Sequence, residues 1–393
     1  MDNGTEIAAR RWLVLASAMV SFFAVGMTFF AVPPLIPTLR AAFGLSNLSI
    51  GLLMGAIAMP AIALSLPLGA ALDRWPPRAA GLAGLATMLA GAVMFAAAPG
   101  YGWLLAGRLL FGVGGLVMNL LLARLISVAF AGRELALAMG LFTATYPAGM
   151  IVLFTFHPWF EGNLGWRGEL GLLAVLVLAA IPLHALAVPQ RLRAEREAPG
   201  AGRGGALPAS LVALGVAWML YWVAFAAVPT FGPEWAGAGA SGLLVTSLIT
   251  WIAMLGAPIA GAVIDRAGRP QTWCAVSVGL MAVTLALMAA GRLPAVAAMV
   301  ILGLVAAVVP PALYSLPARL VSGERVGFAF GFITALSNLG AVIGPTLAGA
   351  VRDATPEWAA VWGTLAAVAL ASAVFASRAR PAPRSQLGQT RAD

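Results

Sequence analysis

The chain writes one plan twice. Gly69-Ala-Ala-Leu-Asp73-Arg74-Trp-Pro-Pro-Arg78 returns as Gly261-Ala-Val-Ile-Asp265-Arg266-Ala-Gly268-Arg269, with the aspartates 192 residues apart. Ala123-Arg-Leu-Ile-Ser127 returns as Ala318-Arg-Leu-Val-Ser322, and Ala138-Met-Gly-Leu-Phe-Thr-Ala144 as Ala329-Phe-Gly-Phe-Ile-Thr-Ala335. Matches at offsets of 191 to 195, in the same order, mean that one half duplicates the other. Each Asp-Arg pair falls in a gap after the second long apolar stretch of its half. The expected fold is therefore two related bundles.

Lipid is the expected solvent of those bundles. Residues are 61% hydrophobic and 9% charged, whereas a water-covered globule carries roughly 25% charged residues. Twelve stretches approach or exceed the roughly 20 residues needed to cross a bilayer core: 12–39, 49–72, 79–98, 102–124, 134–160, 168–189, 208–231, 241–264, 270–290, 294–318, 325–351 and 356–377, called spans 1 to 12. All 23 basic residues are arginines. With the N-terminus inside, 18 of them fall in cytoplasmic segments, four in outer loops (Arg40, Arg167, Arg292, Arg352) and Arg108 within span 4. This asymmetry predicts a multi-pass protein of the cell (inner or plasma) membrane with both termini cytoplasmic. It also assigns the net charge of +9 to topology and anionic lipid, not to nucleic acid.

One cysteine and two histidines leave little for a disulfide framework or a Cys/His metal cluster. No cofactor and no metal are expected. Span 1 is too long for a cleavable signal core of roughly 7–15 residues. The expected organisation is all-α: a six-helix bundle over 1–190, a Gly/Pro/Arg-rich cytoplasmic tether over 191–207, a second bundle over 208–377 and a disordered tail over 378–393, as a monomer.

Twelve spans as 6+6, a basic central loop and Gly-x-x-x-Asp-Arg after spans 2 and 8 resemble the major facilitator superfamily over nearly the whole chain. Gly69, Asp73, Arg74 and Arg78 match its loop signature, with Pro76 and Pro77 replacing a glycine and a basic residue; Gly261, Asp265, Arg266, Gly268 and Arg269 match in the second copy. Arg108 followed by Gly112 matches the span 4 motif, and Trp166-Arg167 before span 6 is another shared feature. The resemblance implies that Asp73 pairs with an arginine and faces a helix N-terminus of the other half, latching the cytoplasmic side. The alternative is a hairpin end in water. It also implies that spans 1, 4, 7 and 10 line a central cavity.

None of the 14 carboxylates lies in the middle third of a span, which argues against the buried-carboxylate mechanism of cationic-drug exporters. Arg108 sits inside span 4, on a face with Gly112, Gly115 and Asn119; it contacts substrate or caps carbonyls of a neighbouring helix. Span 1 places Ser17, Ser21 and Thr28 on one stripe, and span 5 carries Tyr146-Pro147. Span 7 carries Trp218, Tyr221, Trp222 and Phe225 at helical spacing, as pathway wall or as packed core. Span 8 offers Thr250 and Trp251. Pro310-Pro311 is expected to break span 10 one turn before Tyr314. Span 11 has Thr334, Ser337 and Asn338 on one face. It also has a glycine run ending Gly344-Pro345-x3-Gly349, close to an exporter motif but equally explained by tight packing. His157, with Glu161 four residues on, is a proton site or an interfacial histidine.

The expected function is movement of a small organic solute, neutral or anionic, by alternating access. Multidrug-type efflux by antiport is the alternative, and a non-transporting receptor or scaffold a distant one. An enzyme is not expected, because no clustered catalytic set is present.

Overall fold

The computed structural model describes residues 10–72, 74–130, 134–190, 208–237, 239–321 and 326–379. Asp73, Glu324, the 191–207 tether and residues 380–393 of the tail lie outside them. Every regular element among the described residues is a helix. In hydrocarbon each backbone N–H and C=O must be satisfied within the protein, and a helix does this inside one segment.

Span 1 is Arg11–Phe29 continued by Val32–Phe43, and span 2 is Asn47–Ala56 continued by Met59–Leu72. Spans 3 and 4 are Pro77–Ala96 and Tyr101–Ala129. Spans 5 and 6 share Leu135–Ala187, which runs on through the expected outer loop and is broken only at Gly165 (φ 66°, ψ 167°), a conformation that glycine adopts without a Cβ clash. Spans 7 to 10 are Ala209–Ala236, Ala240–Ala267, Pro270–Ala289 and Ala295–Tyr314; spans 11 and 12 are Val326–Ala354 and Trp358–Arg378, with a short helix Pro317–Leu320 before span 11. Among the described residues eleven helices are long and apolar enough to cross a membrane, the one holding spans 5 and 6 counting once.

The expected break at Pro310-Pro311 does not occur. Both prolines lie in the final turns of span 10, which stops at Tyr314, so their missing N–H groups cost the ladder little length. The real interruptions lie at residues 30–31 and 57–58, and both matter to the site.

Span 1 packs on the span 5–6 helix, span 3 on spans 4 and 6; span 8 packs on span 10, span 11 on span 7, and span 12 on spans 7 and 9. The two sixes touch chiefly through span 2 against span 11 and span 5 against span 8. Since each six has an even number of crossings, residues 10, 190, 208 and 379 share one face, the terminal face.

Candidate functional site: the seam between the bundles

Arg108 is fully buried seven residues into span 4. Its Nη1 donates to the Thr28 carbonyl (2.7 Å), and its Nη2 to those of Phe29 (3.1 Å) and Met54 (3.0 Å). Thr28 O also accepts from the Ala31 N–H at 3.3 Å; the sequence explains why the other two carbonyls are open. Pro33 has no N–H, so Phe29 O lacks its usual donor four residues on. In span 2, Ala58 N–H turns to Gly55 O, leaving Met54 O open. One guanidinium thus repairs both interruptions, and the Phe95 ring lies 5.6 Å from its centre. Of the two roles open to Arg108, the contacts are those of the carbonyl cap. Thr28 is buried too, its hydroxyl donating to Ala24 O at 2.8 Å.

On the face opposite the termini the seam is shut backbone to backbone. A Cβ on Gly51 would lie 2.1 Å from Pro345 O, one on Gly349 2.1 Å from Asn47 O, and one on Gly55 2.8 Å from Val342 Cα. Thr250 of span 8 donates to Met150 Sδ of span 5 at 2.8 Å. Midway, Ala58, Ala226 and Ala341 meet beside Trp222.

Towards the terminal face the same stripes come apart. At 100° per residue, Thr143 continues the stripe of Met150. Asn338 and Thr334 continue the stripe of Gly349, Pro345 and Val342, and Asn119 that of Arg108 and Gly112. Largely buried towards the opposite face, these stripes turn exposed or half-buried at Thr143, Asn338, Thr334 and Asn119. Three helices from two bundles therefore outline one wedge, widening towards the terminal face. Its walls carry amides and hydroxyls. Asn338 Nδ2 donates to Thr334 O (2.9 Å), leaving its Oδ1 free to accept.

Other expected residues fall in different places. Tyr221 is buried, stacked between Trp218 (5.0 Å) and Phe225 (5.3 Å), so that part of the aromatic stripe is bundle core. Trp222 stands at the wedge apex, its buried Nε1–H without a partner. Tyr146 packs on Phe22, Phe29 and Phe30. Tyr314 is 46% exposed, with Trp218 at 5.7 Å and Phe330 at 6.2 Å. Trp251 is 41% exposed; it points away from the Ile249 and Ile252 side that meets span 10 at Gly303 and lies 100° from Thr250, on the bilayer side.

In the loop motifs, Arg74, Asp265, Arg266 and Arg269 are exposed and Arg78 half-buried. Gly69 has no neighbour within 4 Å of an added Cβ, and Gly261 meets only Pro311 of its own bundle. Asp265 has no partner among the described residues.

His157 lies at the opposite end, its Nδ1 2.9 Å from Glu169 and its Nε2 3.3 Å from Glu161. Glu169, nearly fully buried, was not legible: it sits beyond the Gly165 break, where helical spacing from His157 no longer applies. Thr38 donates to Glu161 at 2.5 Å. A cavity of about 310 Å³ between the bundles is lined by His157, Glu161, Thr38, Glu234 and Arg352.

Comparison with known proteins gives the same architecture. The family model described as the Major Facilitator Superfamily matches residues 18–237 and again 210–392, one match for each half. The crystal structure of a mutant of the nucleoside transporter NupG superposes with a TM-score of 0.78 at 15% identity, covering 94% of this chain and 99% of that one. No curated protein matches in sequence at a significant level. Duplicated halves, a seam shut at one end and family matches across both halves leave one assignment: the chain is a membrane transporter of the major facilitator superfamily.

Proposed function

We propose that this transporter moves a small neutral organic solute by alternating access, loading it in the wedge from a cytoplasmic terminal face. The supporting observation is the engagement of Arg108. Its Nη groups are committed to three carbonyls, so the one cation deep in the described spans is taken from an anionic solute. What faces the wedge is neutral: Asn119, Thr143, Thr334 and Asn338. Such groups select by directional hydrogen bonds, which are costly to leave unpaired. Nucleosides, the solutes of the structurally similar NupG, are neutral and rich in donors and acceptors, and they head the panel to test.

Proteoliposome uptake of neutral, anionic and permanently cationic solutes decides the class. Saturable flux is expected for neutral ones. Asn119→Ala and Asn338→Ala are each expected to raise KM about fivefold, the loss of roughly 1 kcal/mol of hydrogen bonding, at unchanged melting temperature. Saturable flux of permanent cations alone overturns the reading. The glycine run of span 11 gives efflux no added support, because Gly340 and Gly344 are taken up in packing on Met219 and Val223 of span 7.

The loop motifs are assigned to closing the terminal face, with Gly69, Asp73, Arg74 and Arg78 in one half and Gly261, Asp265, Arg266 and Arg269 in the other. Coupling to protons is assigned to His157, flanked by Glu161 and Glu169. Glu234, paired with Arg40, and Arg352 are the other charged groups around that cavity. A proton gradient is expected to accelerate uptake in the wild type. His157→Gln is expected to remove that increment while solute exchange without a gradient persists. A gradient response surviving in His157→Gln places the coupling elsewhere.

A further inference from the structure

The face opposite the termini is fastened by contacts outside the loop motifs. Asp353, at the C-terminal end of span 11, accepts through Oδ1 from the backbone N–H and the side-chain Nδ2 of Asn47 (2.9 and 2.8 Å), and through Oδ2 from the Leu48 N–H (2.8 Å). Those N–H groups open span 2 of the other bundle. First-turn donors have no partner within their own helix, and the aligned peptide dipoles favour a carboxylate there. Span 2 has its own cap, Ser46, but that hydroxyl serves Ser49 N–H and leaves Asn47 and Leu48 to Asp353.

Beside this cap, Arg40 at the end of span 1 reaches both Asn47 Oδ1 and Glu234 at the end of span 7, the latter at 3.2 Å from Nη2 to Oε2. Glu234, Arg40, Asn47 and Asp353 form a chain that starts and finishes in one bundle and passes through the other. Arg40 and Glu234 are 194 residues apart, near the ends of the first span of each half.

Spans 2 and 11 run antiparallel along the seam. Span 2 ends at Leu72, the residue before Asp73 in sequence, on the terminal face where span 11 begins; Asp353 lies at the end of span 11 on the opposite face where span 2 begins. We propose that Asp353 with the Arg40–Glu234 pair is the latch of the opposite face, the reciprocal of the loop-motif latch, and that the transporter makes one as it breaks the other. This rests on the alternating-access reading. The other seam pair is not fastened in this way. Glu161 ends span 5, 192 residues before Asp353, but it is held by Thr38 and His157 and not by the first turn of span 8. The Asp353 cap is the carboxylate-to-helix contact that closes this face.

The test uses the full chain in lipid nanodiscs, with Cys274→Ser removing the native thiol. One reporter, Leu243→Cys, is buried beside the opposite face, and the other, Thr143→Cys, is exposed in the wedge. Asp353→Ala is expected to raise labelling of the first by a membrane-impermeant maleimide roughly fivefold and to lower labelling of the second, the size of a lost helix cap. Glu234→Gln cuts the far end of the chain and is expected to shift both reporters in the same direction, which covers a failure of Asp353→Ala to fold. Unchanged labelling at both reporters, in variants that elute and melt like the wild type, overturns the latch. Wild-type flux in proteoliposomes is read separately. Its absence sinks the transport reading without touching the labelling result.

Discussion

Arg108→Ala is expected to cost the protein its stability before it costs it any solute contact. The mutation removes a donor from three carbonyls, at Thr28, Phe29 and Met54; Thr28 O keeps the Ala31 N–H, and the other two are left without a partner. Each buried carbonyl left unpaired costs roughly 1–3 kcal/mol. With two carbonyls left open, about 2–5 kcal/mol is expected in all. Arg108→Lys keeps charge and donors but loses the planar fork that serves two helices at once; about half the loss is expected. Melting in detergent, measured beside ligand affinity, separates the roles. Falling melting temperature and falling transport together are the expected outcome. Lost binding at an unchanged melting temperature transfers Arg108 to the solute.

The same residue shows what could be read from sequence. Duplication, charge asymmetry and the length of the apolar stretches were enough for two six-helix bundles, because each reflects a requirement imposed on a chain by lipid and by gene doubling. An arginine in a span was legible as functional or structural, but not as which of the two. The deciding facts are local: Pro33 silences one donor, and a turn at residues 57–58 diverts another. Neither leaves a periodic signal. Pro310-Pro311 looked like the stronger break and is not, since a proline pair near a helix end disrupts little. Asn119, Thr334 and Asn338 stood out in the sequence as polar groups on stripes that are otherwise small or apolar, and they are exposed or half-buried in the fold. Trp251 and Tyr221 were not legible, because an aromatic side chain is equally at home facing lipid, core or solute. The Arg40–Glu234 pair left no signal, because it joins residues 194 apart in different bundles that no helical spacing connects.

Gly51→Ala is expected to move the bundles without unfolding either. Its added Cβ would lie 2.1 Å from Pro345 O, and 2.8 Å from Thr346 Cα, where backbone cannot swing aside as a flexible side chain does. Gly149 is crowded to a similar degree, with Met27 N at 2.5 Å and Gly26 C at 2.8 Å. The difference lies in what must yield. Gly149 faces span 1 of its own bundle, so Gly149→Ala strains a unit with no second arrangement, and a loss of about 1–3 kcal/mol in stability is expected, as for other overpacked sites. Gly51 faces span 11 of the other bundle, across a seam that alternating access requires to part. The same strain there is relieved by leaving the shut conformation, and about 1–3 kcal/mol corresponds to a population shift of roughly 5- to 150-fold. Gly51→Ala is therefore expected to expose Leu243→Cys to an impermeant maleimide while melting near the wild type, and Gly149→Ala to melt early with labelling unchanged. If Gly51→Ala instead melts as early as Gly149→Ala and leaves Leu243→Cys protected, the seam is a fixed joint and the chain does not work by rocking its halves.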